Sequence, residues 1–153
     1  MNPTNVGAWI GDWAWSVPLI VLTVVIHVCG LALIAERVVR RVNTTIADRN
    51  FLPKFVIVMG FTSLRVTVLH GAEAGIWAVA YRIVDALPDF RSSMLYSLNA
   101  MTSYGHVNMF LKDRWQLMGA LEALNGMLLF GLTTAFLFAI IQRVWPLGSR
   151  DNH

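Results

Sequence analysis

Ser16 to Ala35 runs for 20 residues without a charged side chain, and that run restricts the chain to a few architectures. A helix of this length covers roughly 30 Å, the thickness of a bilayer's hydrocarbon core. Leu117 to Ile141 is a second apolar run, interrupted by Glu122, Asn125 and small polar residues. Between them Phe55 to Val84 is longer and less pure, carrying Arg65, His70, Glu73 and Arg82. At about 45 Å as a helix it exceeds the hydrocarbon core, so it tilts or projects. With 56% hydrophobic and 14% charged residues, the chain is too apolar for an ordinary soluble domain. The expectation is one all-α integral membrane protein with three transmembrane helices.

Basic residues set the expected orientation. Met1 to Trp15 holds no Lys or Arg, while Glu36 to Lys54 holds Arg37, Arg40, Arg41, Arg49 and Lys54. The positive-inside bias makes that segment a cytoplasmic loop, with the N-terminus outside and the C-terminus, bearing Arg143 and Arg150, inside. Asp85 to Arg114 then falls outside, its Arg91, Lys112 and Arg114 partly offset by Asp85, Asp89 and Asp113. Trp9, Trp13 and Trp15 suit an interfacial belt, and the lack of a basic start argues against a secretory signal. The net charge of +3 reflects this asymmetry; a short basic loop without interleaved aromatics does not fit a nucleic-acid partner. The single Cys29 excludes an internal disulfide, and no nucleophile–base constellation, phosphate loop or zinc-ligand spacing suggests an enzyme.

The polar stretch Ser97 to Asn108 stands between two apolar segments. Pro88 and Asp89 predict a short helix from Phe90 to about Thr102, too short to cross a membrane. Irregular backbone at membrane depth is tolerated only where protein buries it or where it lines a watery path. A short helix, then Thr102-Ser103-Tyr104-Gly105, then a long apolar helix has the order expected of a re-entrant pore loop. The competing reading is a capping turn between helices.

From about Val68 to Ile141 the chain resembles the two-helix pore domain of bacterial potassium channels, especially small proteobacterial proteins with one helix ahead of that module. The resemblance lies in His70-x-x-Glu73-x-x-x-Trp77-Ala78-x-x-Tyr81, in Glu122-Ala-Leu-Asn-Gly126-x-x-x-x-Gly131-Leu-Thr-Thr-Ala135, and in Ser97 to Asn108. Aligned without gaps, Thr102, Ser103, Tyr104, Gly105, His106, Val107 and Asn108 fall on the family's filter pattern Thr-Thr-Val-Gly-Tyr-Gly-Asp. A second register matches Tyr104-Gly105 to the family's Tyr-Gly and needs a gap. Either register loses one glycine. The β-branched Val107 resists positive φ, so weakened K⁺ selectivity is expected.

The resemblance implies a homotetrameric cation channel of the bacterial inner membrane, passing K⁺ or Na⁺, with no other cofactor. Residues 1–54 would form the extra helix and basic loop, 55–142 the pore domain, and 143–153 a cytoplasmic tail without a sensor domain. Thr102, Ser103, Tyr104, Gly105, His106 and Val107 would be the filter, with the monovalent cation at Thr102 to Gly105. His106 would take either the tyrosine position, packed behind the filter, or the aspartate position at the outer mouth, in both cases as an outward-facing, proton-sensitive group. Gly126 and Gly131 would be a gating hinge, or alternatively small residues that let helices approach closely. Arg65, His70, Glu73 and Glu122 would give intramembrane polar support, Arg65 meeting Glu73, Glu122 or a backbone carbonyl. Membrane lipid and an unidentified regulatory partner complete the expected surroundings. Two alternatives are a non-conducting interaction protein of the same fold and a redox subunit binding haem between His27 and His70. The haem reading suffers from the unequal depths that sequence position gives the two histidines.

Overall fold

The computed structural model describes residues 3–45, 51–105 and 109–149. Four α-helices account for nearly all of them: α1 (Pro3–Thr45), α2 (Phe51–Ile83), α3 (Phe90–Met101) and α4 (Gln116–Ser149), with one 3₁₀ turn, Asp113–Trp115, leading into α4. No strand occurs among the described residues. Three helical stretches are long and apolar enough to cross a membrane: Trp9–Arg40, Leu52–Ile83 and Asp113–Arg143. Large apolar side chains such as Ile10, Val21, Phe61, Val68, Leu124 and Phe138 point outward, as expected where lipid is the solvent.

The loop expected over Glu36 to Lys54 is mostly helix: α1 continues to Thr45 and α2 begins at Phe51. Charged residues on a helix that outruns the bilayer are as well solvated as those on a loop, so composition does not separate the two cases. Pro53 sits in the first turn of α2, where its missing N–H costs nothing.

Helix α1 packs against both α2 and α4, and α3 is wedged between the same two helices. Trp77, Tyr81, Leu87, Tyr96, Trp115 and Met118 form one apolar layer around α3. Leu31, Ile34, Val38, Val66 and Ile140 form another at the far end of the spans. Between them lie Ala74, Met101 and Leu129, and the buried polar groups described below.

Two turns set α3 in place, and both follow one hydrogen-bond pattern. At the end of α2, Asp85 takes a left-handed conformation (φ 51°), while Asp85 N bonds Arg82 O at 3.2 Å and Ala86 N bonds Tyr81 O at 2.9 Å. At the end of α3, Ser103 does the same (φ 54°), with Ser103 N on Ala100 O at 3.0 Å and Tyr104 N on Asn99 O at 3.1 Å. These are Schellman caps with Asp and Ser where glycine is usual. Asp89 caps the start of α3 by accepting from Ser92 N at 2.9 Å.

The Ser92 backbone N–H, then its hydroxyl, hold the Asp89 carboxyl below its ordinary value of 3.8. A depressed folded-state pKa adds stability above the unfolded pKa and loses it as pH falls through the folded value. Asp89→Ala is therefore expected to lower the thermal midpoint at pH 7, with the gap to wild type shrinking below pH 3.8. Calorimetry in detergent at both pH values checks this; a gap independent of pH contradicts it.

Candidate functional site

Helix α3 runs alongside α4 in the same direction. Tyr96 lies against Gly119, where a Cβ would stand 3.1 Å from Tyr96 Cζ. Five residues later Met101 lies against Gly126, where a Cβ would stand 2.6 Å from Met101 Cα and 2.8 Å from its carbonyl carbon. Gly126 is ten residues into α4, so α3 ends about 15 Å along that helix. The chain must then turn back to reach the start of α4.

The residues expected to line a filter begin at this end. Thr102 is the C-cap of α3 (φ −86°), and its hydroxyl donates to Leu98 O at 2.7 Å. Ser103 (φ 54°) and Gly105 (φ 90°) are left-handed, and Thr102 to Gly105 are all exposed, Tyr104 by 82%. Among the described residues the carbonyls of Thr102, Ser103 and Tyr104 accept no hydrogen bond. An open groove flanks this turn, lined by Asn99, Ser103, Gly105, Gly119, Ala120 and Ala123. His106 and Val107 lie outside the described residues.

A first buried polar cluster holds α3 from behind. The Glu122 carboxyl group of α4 accepts from Tyr81 Oη of α2 and meets Ser97 Oγ of α3. Ser97 Oγ also donates to Ala74 O of α2 at 2.8 Å. One hydroxyl carries one proton for these two oxygens, and a proton on the Glu122 carboxyl would complete the set. Tyr81 and Tyr96 stack edge to face at 5.3 Å beside it. Glu122 thus joins α2, α3 and α4.

A second cluster joins the three long helices. His27 Nδ1 lies 2.9 Å from Glu73 Oε1, and His70 Nδ1 lies 3.3 Å from Glu73 Oε2. On the opposite side both Nε2 atoms reach Thr133 Oγ1, at 3.1 Å from His27 and 3.0 Å from His70. The His70–Glu73 contact is close but misaligned, and both its atoms remain buried without a hydrogen bond. Asn125 Nδ2 donates to Thr23 Oγ1 at 2.9 Å, adding a further bond between α4 and α1.

No known protein family, curated protein or solved structure matches the chain.

The structure brings His27 and His70 to within 5.0 Å, ring centre to ring centre. Sequence position separates them because it starts α2 near Lys54 and ends α1 near Glu36. Counted from the observed helix ends, His27 is 18 residues before Thr45 and His70 is 19 after Phe51, so the depths agree. The two rings are tied through Glu73 on one side and Thr133 on the other, which leaves no gap between them for a haem.

Of the three partners expected for Arg65, the two carboxylates are taken by other groups, and among the described residues Arg65 forms no ion pair with either. Eight residues along one helix separate Arg65 and Glu73 by about 12 Å, whereas His70 is one turn away. Gly126 is the point of closest approach between α3 and α4, while Gly131 has open space around it. Sequence reasoning passed over Thr133, Tyr81 and Ser97 as polar partners. For Thr133 and Tyr81 the one signal was a hydroxyl inside a largely apolar segment, which is common in membrane helices, and Ser97 was read only as the start of the polar stretch.

Proposed function

We propose that this chain is one subunit of a homotetrameric, monovalent-cation channel of the bacterial inner membrane, N-terminus outside, and that the end of α3 with residues 102–107 lines its ion path. The observation that carries this reading is that the carbonyls of Thr102, Ser103 and Tyr104 accept no hydrogen bond among the described residues, and that they follow the end of α3, about 15 Å along α4. Backbone groups at that depth need water, an ion or another chain to solvate them. Left-handed Ser103 and Gly105 follow right-handed Thr102, so the backbone leaves the helical path directly after α3. The C-terminal dipole of α3 adds about half a negative charge at the same place, which suits a cation. Each chain supplies one such helix end, so a ring of subunits is needed to enclose a path.

Within this reading Thr102 offers its carbonyl only, since its hydroxyl caps α3. Reconstituted into planar bilayers, the protein is expected to pass K⁺ and Na⁺ with a reversal potential near zero under opposed gradients. A potential that follows K⁺ alone refutes the weak selectivity. Native mass measurement in mild detergent is expected to give tetramers. Only monomers or dimers, or folded tetramers without current, overturn the channel and favour a non-conducting interaction protein of the same fold.

A further inference from the structure

We infer that His27, His70 and Glu73 form a binding site for a divalent transition-metal ion of the zinc class, between the spans and independent of whether the pore conducts. The nearest ligand atoms of these three side chains all lie within 4.8 Å of one another. His27 and Glu73 are fully buried, and the His70 side chain is 12% exposed.

The argument starts from a count of protons. Four contacts close a ring: two from the histidine Nδ1 atoms to Glu73, and two from their Nε2 atoms to Thr133 Oγ1. Each contact needs one proton to become a hydrogen bond. Two neutral imidazoles and one hydroxyl bring three, with Glu73 ionised. Three protons satisfy three of the contacts and leave the fourth, His70 Nδ1 to Glu73 Oε2, as an open edge with two unpartnered ligand atoms, where a metal ion would sit.

Three features of the ring favour the metal. First, His70 Nδ1 and Glu73 Oε2 stand 3.3 Å apart, misaligned for a hydrogen bond and both without a partner. Ligands about 2.0–2.1 Å from a tetrahedral zinc ion lie about 3.3 Å from each other, so this spacing is a ligand edge. Second, Thr133 Oγ1 has two lone pairs and can accept an Nε2–H from each ring. With a metal bound, both protons would stand on Nε2 and both Nδ1 lone pairs would face Glu73, the Thr133 hydroxyl proton turning out of the ring; this is the outer support that zinc-bound histidines require. Third, Phe130 stacks on His70 at 4.3 Å and 16°, which fixes the plane of the most exposed ligand. Two imidazole nitrogens and one carboxylate oxygen select a zinc-class ion over Mg²⁺ or Ca²⁺. Three protein ligands leave the fourth position for water or hydroxide. An ion held there ties α1 to α2 directly, and to α4 through Thr133.

The test uses the purified full chain in detergent, stripped with a chelator and titrated with Co²⁺. The expected result is about one Co²⁺ per chain with the visible absorption of a tetrahedral N/O site, displaced by Zn²⁺. Glu73→Gln and His70→Ala should lose the band. Thr133→Val should weaken binding by about 10- to 100-fold, the usual effect of removing an outer partner. Circular dichroism shows whether each variant folds. X-ray absorption fine structure of the zinc-loaded wild type needs no variant, and should show two imidazoles. Folded wild type that retains no Co²⁺ through gel filtration, a zinc spectrum without imidazole, or an unchanged band in folded Glu73→Gln overturns the site. The ring is then a hydrogen-bonded lock between the three long helices and nothing more.

Discussion

Gly126→Ala is expected to lower the thermal midpoint of the purified protein by several degrees, up to about 12 °C, while Gly131→Ala leaves it nearly unchanged. The two glycines sit five apart on the same helix and differ only in what faces them. At Gly126 a methyl group would meet Met101 Cα at 2.6 Å and its carbonyl carbon at 2.8 Å. Those are backbone atoms, which cannot rotate away as a side chain would. Met101 itself is held in place by packing with Ala74 and Leu129. Relief therefore requires α3 to move as a unit, against the Ser97–Glu122 contact that pins it. Over-packing of this kind costs about 1–3 kcal/mol, and each kcal/mol moves the midpoint of a chain this size by about 2–4 °C. At Gly131 nothing lies within 4 Å, so alanine meets no neighbour. Differential scanning fluorimetry of the two variants decides the matter. Equal melting of Gly126→Ala and wild type shows that close approach does not require glycine there, and leaves the hinge as its reason.

The spans were legible because lipid imposes a simple rule: long uncharged runs must be helices. The short helix was legible too, since Pro88 and Asp89 mark its start and the polar stretch marks its end; the observed Phe90–Met101 differs by one residue. What the sequence could not carry is pairing at a distance. His27 and Thr133 are 106 positions apart, and no local pattern announces that one hydroxyl will serve two imidazoles. Charge on its own also misled. Glu73 was one of three partners expected for Arg65, with Glu122 and a backbone carbonyl, but a histidine one turn away from Glu73 is nearer than an arginine two turns away. The basic segment read as loop hid the true helix ends, and with them the equal depth of the two histidines. For Gly126, spacing left hinge and packing equally open; a named neighbour, Met101, supplies the packing role.

Glu122→Gln should be nearly neutral, and Glu122→Ala should be among the most damaging single changes in the chain. The difference follows from where protons sit. Ser97 has one hydroxyl proton and two oxygens within reach, Ala74 O at 2.8 Å and Glu122 Oε1. If Ser97 donates to the carbonyl, the group at position 122 must donate to Ser97 while accepting from Tyr81. A glutamine does both: its oxygen accepts from Tyr81 Oη, and its NH₂ donates to Ser97 Oγ. Alanine does neither. It leaves the Tyr81 hydroxyl without an acceptor and opens a cavity where α2, α3 and α4 meet. Truncating a fully buried side chain costs about 2–5 kcal/mol, and each unsatisfied buried polar group about 1–3 more. The effect should be local first. Amide hydrogens of α3 should exchange much faster in Glu122→Ala than in wild type, while those of the α1–α2 contact near Val38 and Val66 change little. Hydrogen-exchange mass spectrometry in nanodiscs reads both regions at once. If Glu122→Gln loosens α3 as much as Glu122→Ala does, position 122 must act as an acceptor toward both hydroxyls, and the proton belongs to Ser97. If neither change loosens α3, the buried carboxyl is not what seats the short helix against α4.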